Sequence, residues 1–94
     1  MNNKLNQFMS FLGFNEDEIV ELIERCPGLQ VRNVDNIINS TLVLTSCGFP
    51  RSELHSLITI NPNFLLGEPE HIKKVVSTIK GDIVKTLFEN PYII

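Results

Sequence analysis

The sequence predicts an all-α fold, a solenoid of three stacked helix pairs with about six helices. Gly13–Val31 (GFNEDEIVELIERCPGLQV) and Gly48–Leu66 (GFPRSELHSLITINPNFLL) share one grammar at a 35-residue offset: Gly-Phe, an amphipathic stretch, a proline, then apolar residues. A shortened copy, Gly81–Ile94, closes the chain. In all three copies an apolar anchor (Ile19, Leu54, Ile83) lies eight residues before the proline (Pro27, Pro62, Pro91), and another (Ile23, Ile58, Leu87) four before it. No segment alternates like a strand. A period of about 35 residues is that of helical-repeat arrays, where about three units are needed to bury one another's faces. The repeats divide a single domain, 1–94, at approximately 1–32, 33–67 and 68–94.

The first helix is expected over 2–12, with Leu5, Phe8, Met9 and Leu12 on one face. Gly13 can end it in the left-handed conformation, with Phe14 folding back onto the last turn. Asn15 and Glu18 form a capping-box pattern for the second helix, and Glu16 and Asp17 suit its positive end. Ile19, Leu22, Ile23 and Cys26 are its apolar face. Pro27 cannot continue that helix without losing a hydrogen bond, so a turn follows in which Leu29 and Val31 fold back.

Asn33 is placed to cap a third helix, 34–47, whose stripe is Val34, Ile37, Ile38, Thr41, Leu44 and Cys47. Gly48 and Phe49 repeat the earlier stop, and Pro50 opens a fourth helix over 51–60 that buries Leu54, Leu57 and Ile58. Pro62 and Phe64–Leu66 repeat the turn. Pro69 begins a fifth helix reaching Lys80, with Ile72, Val75, Val76 and Ile79 inward. Gly81 and Asp82 then act as stop and cap for a short sixth helix, 83–89. Six residues separate Gly48 from Leu54 and two separate Gly81 from Ile83. The missing four are about one helical turn, which preserves the apolar face.

An apolar fraction of 43% with 20% charged residues is that of an ordinary globular chain. The amino-terminal residues lack the apolar run of a secretory signal and the Arg/Ser bias of an organellar presequence, and no stretch approaches a membrane span. A cytoplasmic protein without membrane association is expected. Cys26 and Cys47 have neither C-x-x-C spacing nor a nearby histidine, so they read as two small buried apolar side chains. The net charge of −3 is concentrated at one end: residues 1–30 hold Lys4 and Arg25 against five carboxylates, whereas residues 31–94 are balanced.

No catalytic, metal or cofactor site is expected. His55 follows the buried Leu54 position and should face outward, His71 lies in the first turn of the fifth helix, and neither has a nucleophile or acid at a suggestive spacing. The carboxylates Glu16, Asp17, Glu18, Glu21 and Glu24 read as a solvated helix face. There is no glycine-rich phosphate loop, and the sequon Asn39-Ser40-Thr41 falls inside an expected helix.

The motif Leu12-Gly13-Phe14, Glu18-Ile19, Leu22-Ile23, Pro27 and Leu29 recurs as Cys47-Gly48-Phe49, Glu53-Leu54, Leu57-Ile58, Pro62 and Phe64-Leu65, and in part as Gly81, Ile83, Leu87, Pro91 and Ile93. It resembles the repeat of the mitochondrial transcription termination factor (mTERF) family. The resemblance implies two antiparallel helices and a short 3₁₀ turn per repeat, stacked into a short right-angled or curved α-solenoid. It also implies a nucleic-acid-binding, gene-expression-related module. Candidate phosphate contacts are Arg32, Arg51, Lys73, Lys74, Lys80 and Lys85. The competing reading treats them as solubilising charges offset by Asp35, Glu53, Glu70 and Glu89.

Two other partner classes stay open. A protein could be met by the acidic second helix, through Glu16, Asp17, Glu21 and Glu24, or by an apolar groove. A homodimer could form through the apolar end at Tyr92, Ile93 and Ile94.

Overall fold

The computed structural model describes residues 3–94, so the expected first helical residue, Asn2, lies outside the described residues. All described elements are helical. They run α1 (Asn3–Phe11), α2 (Glu16–Arg25), α3 (Gly28–Val31), α4 (Val34–Ser46), a 3₁₀ turn (Arg51–Glu53) leading into α5 (Leu54–Ile60), a 3₁₀ turn (Pro62–Leu66), α6 (Pro69–Ser77), α7 (Ile83–Glu89) and a last 3₁₀ turn (Pro91–Ile93). The first helices of the repeats, α1, α4 and α6, pack side by side, and α3 packs on the 62–66 turn. The stack is elongated, 39 × 21 × 20 Å.

The glycine stops operate as backbone chemistry predicts. Gly13 and Gly48 have φ of 99° and 100°, a region that side-chain-bearing residues rarely occupy. The Gly13 N–H donates to the Ser10 carbonyl and the Phe14 N–H to that of Met9; Gly48 and Phe49 bond to Thr45 and Leu44 in the same way. These paired bonds satisfy carbonyls that a helix end leaves open, and they swing Phe14 and Phe49 into the core. Asn15 and Glu18 form the full capping box, and Asn33 and Asp82 cap α4 and α7 through their side chains.

Five expectations need correction. Val31 is 88% exposed while Leu29 is fully buried, because α3 is helical and residues two apart on a helix point to opposite sides. The expected fourth helix begins as a 3₁₀ turn, since Pro50 supplies no side-chain cap. The fifth helix ends at Ser77 rather than Lys80. Gly81 still has φ of 94° but does not close it, and three residues intervene. Cys47 caps α4 and is exposed, unlike Cys26. His55 is half-buried, not outward, and forms part of a joint between repeats.

Helix α4 lies between α1 and α6 and buries Ser40 and Thr41 as well as its apolar stripe. Small side chains allow close packing there, and their hydroxyls donate to the Asn36 and Ile38 carbonyls. Polar ties also join successive repeats. The Arg32 Nη2 donates to the Gly67 carbonyl and the Glu68 carboxylate, both at 3.2 Å, and Asn61 Nδ2 donates to the Pro91 carbonyl at 2.8 Å. At the carboxyl end, Ile93 and Ile94 are half-buried against the core and Tyr92 is exposed.

Candidate nucleic-acid interface

The side-by-side packing of α1, α4 and α6 leaves two grooves that share Leu42 as a wall. The α1/α4 groove, about 510 Å³, is lined by Phe8, Phe11, Leu12, Thr41, Thr45 and Leu54, with Arg51 at its edge. The α4/α6 groove, about 490 Å³, is lined by Asn39, Val43, Ser46, Cys47, Pro69 and Glu70, with Lys73 at its edge. Phe11 and Leu42 are large apolar side chains left exposed on this face. The Arg51 guanidinium sits 4.7 Å from the centre of the Phe11 ring, an attraction between a cation and the electron-rich ring face.

The six basic candidates therefore divide. Arg51 and Lys73 stand on either side of Leu42 on one face. Arg32 is mostly buried and committed to the Gly67–Glu68 joint, so its guanidinium is not presented to a ligand. Lys85 reaches Glu89 one turn on, at 3.9 Å. Lys74 and Lys80 are exposed and have no ion-pair partner among the described residues. Sequence reading missed Phe11 and Leu42, whose only signal was that they fall off the apolar stripes of their helices.

The acidic candidates do not form one patch. Asp17, Glu21 and Glu24 share a helix face at i, i+4 and i+7 and are exposed. Glu16 instead lines a separate groove against α1. Glu18 is drawn into the structure: its Oε1 accepts the Asn15 N–H at 3.0 Å and its Oε2 meets His55 Nε2 at 3.0 Å. The Asn15 N–H holds the Glu18 carboxyl below the ordinary range against the opposing effect of burial, and His55 adds a smaller lowering. The His55 ring also stacks on Phe14, with centroids 4.2 Å apart. His55 thus has structural partners in Glu18 and Phe14.

Cys26 donates to the Asn63 side-chain oxygen at 3.3 Å, and burial pushes its thiol pKa up. Among the described residues no three His, Cys, Asp or Glu side chains gather as a metal site would require, and no helix is long and apolar enough to cross a membrane.

No curated protein and no solved structure matches the chain. The family model described as mTERF matches residues 1–92. With that coverage, and with three left-handed glycines each followed by a helix and a proline turn, the chain belongs to the mTERF family.

Proposed function

We propose that the protein is a non-catalytic module that binds nucleic acid through its phosphate backbone, using the face formed by α1, α4 and α6. The observation that carries this reading is the placement of Arg51 and Lys73 beside the two grooves that share Leu42, with Asp17, Glu21 and Glu24 carried on α2 outside that row of helices. Family membership supports it. Phosphate contacts position a duplex without reading its bases, and Arg51 and Lys73 are the cationic side chains that line the two grooves.

The free cations bound the strength of such binding. With Arg32 held at the Gly67–Glu68 joint and Lys85 paired with Glu89 on the surface, Arg51, Lys73, Lys74 and Lys80 remain. Four phosphate contacts on a duplex give a slope of log affinity against log salt of about −3.6 at most. A salt-series gel shift with duplex DNA, duplex RNA and single strands tests this. Binding at about 50 mM salt that weakens with a slope near that limit is expected, and no binding to any of them at that salt overturns the proposal.

A second reading rests on the exposed Asp17, Glu21 and Glu24 face, which suits a basic protein partner better than a phosphate. If a partner is recovered whose binding is lost when Glu21 and Glu24 are reversed to Lys, while nucleic acid fails to bind, this adaptor reading replaces the first.

A further inference from the structure

The molecule repeats one of its internal joint surfaces at its amino-terminal end. In the second repeat, Thr41, Thr45, Arg51 and Leu54 line the groove that is completed by Phe8, Phe11 and Leu12 of the preceding helix, and His55 stacks on Phe14. Moving these five positions back by the 35-residue offset gives Asn6, Ser10, Glu16, Ile19 and Val20. The same five residues line a separate groove of about 290 Å³ against α1 and α2. Ile19 is buried beneath it and Val20 is 44% exposed. Its polar residues match the Thr41, Thr45 and Arg51 of the internal joint in number, so polarity does not mark it as a sealed end.

The opposite end carries the inserting half. Both internal joints place the two residues before the left-handed glycine at the groove, Phe11-Leu12 before Gly13 and Ser46-Cys47 before Gly48. Before Gly81 those residues are Ile79, half-buried, and Lys80, exposed. Nearby, Ile83 and Val84 are also half-buried, although Leu54, the counterpart of Ile83, is covered. In the α1/α4 joint the Leu12 and Arg51 positions face the same groove. Between two copies of the chain, the equivalent residues are Lys80 and Glu16, of opposite charge.

We propose that a second copy of this chain stacks head to tail, seating its Ile79–Lys80 end in the groove lined by Asn6, Ser10, Glu16, Ile19 and Val20, with Lys80 opposite Glu16. The contact uses two different surfaces, so each added copy presents a fresh groove, and association is open-ended rather than closed at a dimer. Salt weakens it, because the charged pair lies at the rim.

Sedimentation of the full chain, alone and in mixtures, tests the proposal. Val20→Glu blocks the groove, Lys80→Glu blocks the inserting end, and both positions are exposed enough for circular dichroism to show an unchanged fold. The unaltered chain should gain mass with concentration beyond a dimer at low salt. Each variant alone should stay monomeric, while an equimolar mixture of the two should reach twice the monomer mass and stop. Glu16→Lys combined with Lys80→Glu should associate again. A monomeric unaltered chain at submillimolar concentration, a monomeric mixture, or dimerisation of either variant alone would overturn it.

Discussion

His55 Nε2 lies 3.0 Å from Glu18 Oε2, joining the second repeat to the capping box of the first. The ring that makes this bond also stacks on Phe14, the residue that folds back after the Gly13 stop. One side chain thus touches the end of α1 and the start of α2 together.

This joint has a pH signature. The folded-state pKa of Glu18 lies below its ordinary 4.5, so the folded state binds fewer protons there than the unfolded chain. Its contribution is complete above that value and disappears as pH falls through the folded pKa. We expect Glu18→Gln to flatten the acid side of a plot of melting temperature against pH, leaving other carboxylates to set the remaining slope. An unchanged slope would remove Glu18 as a source. His55→Ala should lose about 1 kcal/mol from the stacked pair, and His55→Phe should retain most of it.

Gly13→Ala and Gly48→Ala should each cost about 1 kcal/mol in denaturant unfolding. A Cβ at Gly48 would meet nothing within 4 Å, and one at Gly13 would reach only His55 at an ordinary 3.8 Å. The cost is therefore that of the left-handed backbone and not of crowding.

Leu29 and Val31 should separate sharply. Leu29 is fully buried, so Leu29→Ala is expected to destabilise by about 3 kcal/mol through lost burial and a residual cavity. Val31 is exposed, and Val31→Ala should fall within about 0.5 kcal/mol of the unaltered protein. Equal effects would mean that α3 is not helical.

The two cysteines should differ in native-state labelling. Cys47 is exposed and should react with a thiol reagent at once, whereas Cys26 is buried with its thiol pKa raised and should react only on unfolding. Mass spectrometry of a time course at neutral pH should give one adduct, then a second only when denaturant is added.

Arg32 and Arg51 should divide stability from binding. Arg32→Ala removes the tie to Gly67 and Glu68 and should lower the melting temperature with no change in the salt slope of nucleic-acid binding. Arg51→Ala should reduce that slope by about one phosphate contact, near 0.9, with little effect on folding. The opposite pattern would move the interface away from the α1/α4/α6 face.

The repeat itself, its left-handed glycines and its helix caps were determined by the sequence alone, because each depends on neighbours within a few residues. Gly13 and Gly48 need no distant partner to adopt positive φ, and Asn15 finds Glu18 three residues away. The shortening of the last repeat was legible for a similar reason: α7 keeps its apolar face after losing one turn. Periodicity misplaced Val31, since spacing by two is inward in an extended turn and outward in a helical one.

Tertiary structure decided what no local pattern contains. His55 is half-buried because Phe14 and Glu18, 41 and 37 residues earlier, supply a ring and a carboxylate. Arg32 leaves the set of candidate phosphate contacts because Gly67 and Glu68 come to it, while Arg51 and Lys73 stand on one face because α1, α4 and α6 pack side by side. A helix's own sequence sets which residues share a side. Which of those sides is covered, and by what charge, is set by segments a full repeat away.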